Sequence, residues 1–474
     1  MARANIARTI FQDTEAFPDK PALIEGSRSV AYRELAQTAG RLAAELARRG
    51  VGPLDRVAFL CADSIDYVLL SLAILSLDAA IVPISPGLMA DECAALLEHL
   101  DIRHFLADEA VAPDNGAGEL FRAPDLARTF RLVSFPPRRP MPEGYAELRP
   151  AFIRFSSGTT GASKGVVLSH ETILDRTDAA NEGLGISAGD VVGWVLSMSF
   201  HFVVTILLFL RKGATIVLCG DPLPQALVQA LRAHPITVLY ASPIHYRLLA
   251  ESPAMSAEAF RSLRLAISTA IQLPEAIARR FHERFGIRLA EAYGIIEVGL
   301  PFIHAPEAAA YDGRLGRPLP AYDIRLAENG EVLIRGKGLF DAYFSPWQTR
   351  RDLAPDGWFH TGDLGEIAPD GSLRLMGRCK AVINFSGMKI FPQEIEAVLN
   401  QFPGVAESLV YGEPHPEFGQ LPQARLVLRP NAPALDVQAL RVFCRAQLAP
   451  HKIPKAFAVV AALPKTASGK IRRA

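Results

Sequence analysis

A chain of 474 residues is long enough for two or three domains and a substantial core. Half of its residues are apolar and 21% are charged, the profile of a globular protein. Fifty basic residues balance fifty acidic ones, which argues against a nucleic-acid or membrane-surface partner.

In chain order, residues 1–11 hold two arginines and no long apolar core, so no signal peptide is expected. A short strand near Pro21 leads to a helix over 32–49 with Leu35, Ala39, Leu42, Ala43 and Leu46 on one face, closed by Gly50. Strand 55–60, helix 64–77, strand 79–84 and helix 91–100 follow, an alternation that implies parallel βαβ units. Residues 107–150, rich in proline and glycine, read as a loop or linker. Alternation then resumes through strands at 214–218, 237–240 and 288–290 and helices at 224–233 and 274–285. Two apolar stretches, 67–84 and 191–210, approach the length of a membrane span. The first contains Asp78, and the second carries Ser197, Ser199, His201 and Thr205, so buried strand plus helix is expected for both. Past residue 310 the texture changes to hairpins, signalled by Asn329-Gly330 and Asp370-Gly371. A further unit begins near Gly377, with helices at 392–399 and 436–447. The cysteines (Cys61, Cys93, Cys219, Cys379 and Cys444) are scattered without metal-ligand spacing and read as reduced thiols of a cytoplasmic protein.

The organising stretch runs from Phe152 to Leu168. Ser156-Ser157-Gly158-Thr159-Thr160-Gly161-Ala162-Ser163-Lys164-Gly165 lies between two apolar, strand-like runs. Glycines let backbone N–H groups approach an anion, hydroxyls donate to phosphate oxygens, and a lysine adds a mobile charge. The order is not that of a Walker loop. It reads as a phosphate-gripping loop between strands.

Four later stretches make a family resemblance specific. Tyr293-Gly294-Ile295-Ile296-Glu297 resembles the Tyr-Gly-x-Thr-Glu motif of the adenylate-forming enzymes, which include acyl-CoA synthetases, peptide-synthetase adenylation domains and luciferases. Trp358-Phe359-His360-Thr361-Gly362-Asp363 resembles their Thr-Gly-Asp motif. Gly377-Arg378-Cys379-Lys380, through Gly387 to Glu396, is similar to their hinge. Leu463-Pro464-Lys465-Thr466-Ala467-Ser468-Gly469-Lys470 is similar to their C-terminal lysine motif. The resemblance implies an α/β fold: a large N-terminal domain (1–379) of parallel-rich βαβ sheets with a small β-barrel-like subdomain, then a small mobile α+β C-terminal domain (380–474).

It also implies the chemistry. A carboxylate attacks the α-phosphorus of ATP, giving an acyl-adenylate and pyrophosphate; the nucleophile is already ionised, so positioning and charge neutralisation carry catalysis. Thr159 to Lys164 would hold the β- and γ-phosphates, with Ser156, Ser157, Gly158, Thr160 and Gly161 in the same loop. Glu297 would help hold Mg²⁺, Asp363 and Arg378 would meet the ribose, and Tyr293-Gly294 the adenine. Lys470 would bridge carboxylate and α-phosphate. Lys380 would be the pivot on which the small domain turns. Taken singly, Glu297, Asp363, Lys380 and Lys470 are ordinary surface residues; the ordered set gives them meaning. There are departures: Ile296 replaces the family's usual threonine, Ser163 a proline, Ala381 an aspartate, and Ser268-Thr269-Ala270 a glycine-rich segment.

His201 follows Phe200 where amino-acid-activating relatives commonly carry an aspartate for the substrate ammonium. An unpaired buried ammonium is costly, so a non-amino acid, fatty or aryl, is expected. Phe385-Ser386-Gly387-Met388 resembles the hairpin that admits pantetheine, which points to CoA as acceptor. The phosphopantetheine of an acyl carrier protein is the alternative, and a catalytically inactive nucleotide-binding relative is another. The expected partners are thus a small carboxylic acid, ATP, Mg²⁺ and CoA, with no nucleic acid and no membrane span, in a monomer or homodimer.

Overall fold

The computed structural model describes residues 4–112, 118–156, 164–220, 223–304, 311–385, 388–465 and 471–473. They fold as two compact units, one built from residues before 324 together with 335–357, the other from 324–334 and the chain after 357.

The first unit holds two large sheets. In one, parallel strands Val191–Trp194, Thr215–Leu218, Val238–Ala241, Leu265–Ser268 and Leu289–Ile295 are joined by Pro21–Glu25, with antiparallel edges Arg28–Ala31 and Gly299–His304. In the other, Arg56–Leu60, Ala80–Ile84, His104–Asp108 and Pro150–Ser156 run parallel. Lys164–Ser169 returns antiparallel along Pro150–Ser156, and Ala342–Tyr343 then pairs antiparallel with it, Val167 opposite Ala342 and Val166 opposite Tyr343. The helices follow from their patterns. Tyr32–Arg48 buries Leu35, Ala39, Leu42, Ala43 and Leu46 along one stripe, and Gly50 takes a left-handed φ of 90° just past its end. Ile65–Ser76 is apolar on every side and correspondingly buried all round, capped by Ser64, whose side chain accepts from the Tyr67 N–H. Its one acid, Asp66, is paired with Arg28 at 2.5 Å. Among the described residues no helix is long and apolar enough to cross a membrane.

One reading needs correction. Residues 107–150 are not a plain linker: Phe130–Ser134 pairs antiparallel with His104–Asp108, and Glu119–Phe121 pairs in turn with it. Burial of Phe121, Phe130 and Leu132 drives this edge, an alternation hidden by the flanking prolines. The 191–210 stretch is a strand followed by helix, as expected, with the helical part divided into Met198–His201, a π-turn Phe202–Ile206 and Leu207–Arg211. The Thr205 hydroxyl donates to the His201 carbonyl within that turn.

The second unit contains the antiparallel strands Glu331–Gly336, Phe359–Ile367 and Leu373–Arg378, and an α+β portion. In the latter, helices Pro392–Leu399 and Val437–Gln447 pack on the long hairpin Val405–His415 and Gly419–Leu428.

Candidate functional site

Strand Pro150–Ser156 delivers the chain to the phosphate loop, and Lys164 begins the return strand. Ser156 ends the first strand; Ser157, Gly158, Thr159, Thr160 and Gly161 lie outside the described residues. Lys164 Nζ stands 4.6 Å from the centre of the Tyr343 ring, a cation–π contact. The Tyr343 hydroxyl in turn donates to Glu297 Oε1 at 3.2 Å. Two expected residues, 133 positions apart by number, are therefore joined through a third that no motif announced. Burial and the adjacent Glu297 charge push the Tyr343 phenol well above its usual range, so it stays a donor.

The backbone of Glu297 is fixed as firmly as its side chain. Its carbonyl accepts from Phe340 N at 2.7 Å and from Arg176 Nη2 at 2.9 Å. Arg176 is fully buried on helix His170–Leu184, and its Nε donates to the Gly338 carbonyl. A side chain at Gly338 would meet Arg176 Cγ at 2.6 Å, so only glycine admits this arginine. Asp341 completes the brace by accepting from Ser169 N at 2.6 Å and Thr172 Oγ1 at 2.9 Å. The segment 338–343 thus clamps the turn bearing Glu297. Arg176 could have been suspected from sequence only as a charge inside an amphipathic helix. Tyr343 gave no signal at all.

Tyr293 lies on Leu289–Ile295, its ring 5.9 Å from that of Phe302. Gly294 is required by close approach: a Cβ there would stand 2.2 Å from the Gly299 carbonyl oxygen. At the departure from the glycine-rich pattern, the Thr269 hydroxyl donates to the Ala292 carbonyl at 3.2 Å. Ala270 adopts φ 75°, a left-handed conformation that an alanine takes only with strain. Glu291, two residues before Tyr293, accepts from Leu273 N at 3.0 Å, and burial raises its carboxyl to about 7.

His201 ends the short helix Met198–His201 and sits 6.5 Å, edge-on, from Trp194. Trp194 stacks on Tyr240 at 5.7 Å and meets Phe209 at 6.1 Å, so the segment around His201 adjoins an aromatic wall.

The remaining expected residues belong to the second unit. Asp363 and Arg378 face each other across neighbouring strands, and Arg378 Nε pairs with Asp363 Oδ1 at 2.8 Å. Arg378 Nη1 also donates to the Thr361 carbonyl at 3.2 Å, while the Thr361 hydroxyl accepts from Asp363 N at 3.1 Å. The two residues expected on the ribose thus form one pre-arranged carboxylate–guanidinium pair. Lys380 is exposed in the single turn Cys379–Ala381. Gly387 and Lys470 lie outside the described residues.

A carboxylate joined through one tyrosine to a lysine suits Mg²⁺, which keeps several waters and takes substrate phosphates as ligands. Among the described residues no group of three or more His, Cys, Asp or Glu is placed to hold a metal ion.

Comparison with known proteins bears on the chain as a whole. The model of the AMP-binding enzymes matches residues 10–344, and that of the AMP-binding enzyme C-terminal domain matches 394–470. A 3-hydroxybenzoate–CoA ligase of Aromatoleum sp. (strain CIB) is 30% identical, with 97% of this chain and 93% of the relative covered. A fatty acid–acyl-carrier-protein ligase, ScoC, of Streptomyces coeruleorubidus is 28% identical over 96% of this chain and 92% of the relative. The crystal structure of ATP-bound MatB from Rhodopseudomonas palustris superposes with a TM-score of 0.86 at 26% identity, covering 99% of this chain and 97% of that one.

Proposed function

The chain belongs to the AMP-binding enzyme family, and from that premise we propose that it is an ATP-dependent acid–thiol ligase. It activates a non-amino carboxylic acid, aryl or fatty, as the acyl-adenylate with release of pyrophosphate, then passes the acyl group to CoA. The observation that carries this reading is the Lys164–Tyr343–Glu297 assembly, which begins at the residue that follows the phosphate loop in sequence. It combines a phosphate-seeking cation and a metal-seeking carboxylate in a chain matched by both family models.

In the first half-reaction an acid oxygen attacks the α-phosphorus and the bond to the β-phosphate oxygen breaks. Lys164 and the loop hydroxyls would hold the departing pyrophosphate, and Glu297 would be the protein ligand of Mg²⁺, whose charge offsets that of the phosphates. Asp363 would accept from the ribose hydroxyls while Arg378 keeps that carboxylate oriented. Lys470 would stabilise charge between the acid and the α-phosphate. In the second half-reaction the CoA thiolate attacks the acyl carbon and AMP leaves. The domain division near residue 380, with Lys380 as pivot and Gly387 beside the pantetheine arm, belongs to this reading. The aromatic wall beside His201, in place of a carboxylate for an ammonium, supports an aryl or fatty acid over an amino acid.

The test is pyrophosphate release from ATP across aryl, fatty and amino acids, with CoA, with acyl carrier protein and with neither. Release with aryl or fatty acids, accelerated by CoA and lost in Lys470→Ala, is the expected result. Acceleration by carrier protein alone would establish the second reading, which the similarity to a carrier-protein ligase favours. Release driven only by amino acids would refute both.

A further inference from the structure

The strand that leads into the phosphate loop carries one charge in an otherwise apolar run, Phe152-Ile153-Arg154-Phe155. Arg154 Nη1 donates to the Phe200 carbonyl at 2.6 Å, and its guanidinium lies 4.9 Å from the centre of the Phe200 ring. That uses one of five N–H donors. Nε is shut off from water without a hydrogen-bond partner, and no carboxylate among the described residues pairs with the group. Burial lowers its pKa to about 10, so it remains a cation at neutral pH. The groups that act on it electrostatically are Glu297 and the phenol of Tyr67. Tyr67 is itself fully buried on helix Ile65–Ser76, between Phe59 and Phe202, and the one side chain its hydroxyl meets among the described residues is Ser199.

A buried guanidinium N–H without an acceptor is costly unless one arrives. The free Nε–Nη2 edge of a guanidinium is a fork whose spacing matches the two oxygens of a carboxylate. The location selects which carboxylate. Phe200 immediately precedes His201 in the segment assigned to the acid, and Glu297 lies on the metal side. We propose that Arg154, backed by the Tyr67 hydroxyl, is a recognition site for a carboxylate of the acid substrate. This rests on the acid–thiol ligase reading. The same chemistry could be presented by the reacting carboxylate or by a second carboxylate on a dicarboxylic acid.

The experiment compares wild type with Arg154→Met, Arg154→Lys and Tyr67→Phe. Pyrophosphate release gives KM for ATP, for a monocarboxylic acid (benzoate) and for a dicarboxylic one (isophthalate). Calorimetric titration of each acid reads binding without turnover, so loss of ligase activity and loss of acid recognition are seen separately. Arg154→Met should weaken acid recognition roughly 10- to 100-fold while KM for ATP moves less than about twofold, with partial recovery in Arg154→Lys. Tyr67→Phe, which keeps the ring and hence the packing, should weaken it about three- to tenfold. Weakening of both acids alike assigns the reacting carboxylate; weakening of isophthalate alone assigns a second one. Unchanged acid binding in Tyr67→Phe and in folded Arg154 variants overturns the proposal. So does a rise confined to KM for ATP, which would give Arg154 to the nucleotide.

Discussion

Glu291 supplies a test of how burial acts on the strand that carries Tyr293. Its carboxyl is mostly buried, holds the Leu273 N–H, and has a pKa of about 7 in place of 4.5. The folded protein therefore binds more protons than the unfolded chain between those values. Stability contributed by this group is full at pH 4.5 and below and is lost as pH rises through 7. Between pH 5 and 8 the loss works out at about 2.5 kcal/mol, from 1.36 kcal/mol per unit and the partial titration at either end. Glu291→Gln keeps an oxygen for Leu273 and cannot ionise. Urea unfolding of both proteins across that range should show the glutamine variant gaining about 2.5 kcal/mol on the wild type from pH 5 to pH 8. All other titrating groups are common to both chains and cancel in the difference. Parallel stability curves would refute the reasoning and place the Glu291 carboxylate in contact with solvent.

Other substitutions probe the site and its frame. Tyr343→Phe removes the bond to Glu297 but leaves the ring under Lys164, so kcat/KM for ATP should fall about tenfold, or about 1.5 kcal/mol, in pyrophosphate-release assays at several Mg²⁺ concentrations. Tyr343→Leu should cost about a further threefold through the lost cation–π contact. Asp363→Asn should raise KM for ATP about 10- to 100-fold by nucleotide titration, with little change in unfolding midpoint, because the Arg378 side of the pair is exposed. Ala270→Gly relieves a left-handed alanine and should stabilise the fold by about 1 kcal/mol in the same urea assay. Gly294→Ala drives a methyl into the Gly299 carbonyl and should lower the unfolding midpoint and activity together.

Much of the frame was legible because it depends on local pattern. The stripe Leu35–Leu46, the helix starts at Ser64 and Asp436, and the Asn329-Gly330 and Asp370-Gly371 turns each depend on a few residues. What escaped depends on distance along the chain. Tyr343 matters only because strand pairing sets it beside Val166, and nothing in Ala342-Tyr343-Phe344 announces a partner so far upstream. Arg176 acts through backbone carbonyls, which carry no side-chain code. The edge strands at 119–134 are held by a sheet whose other members lie elsewhere. Arg154 was visible as the one charge in a buried strand, yet only its unused donors give it a purpose.

The pairing of Ala342–Tyr343 with the return strand has a consequence for biosynthesis. Val166 and Tyr343 are 177 positions apart by number, so on the ribosome the outer edge of the phosphate strand stays uncovered for roughly 10 to 35 s of elongation. During that interval the nascent chain offers an open strand edge to chaperones or to other chains. Glu297 and Lys164 emerge unlinked and acquire their shared tyrosine last, so a transcript cut short of that codon yields a polypeptide in which Glu297 lacks its Tyr343 brace.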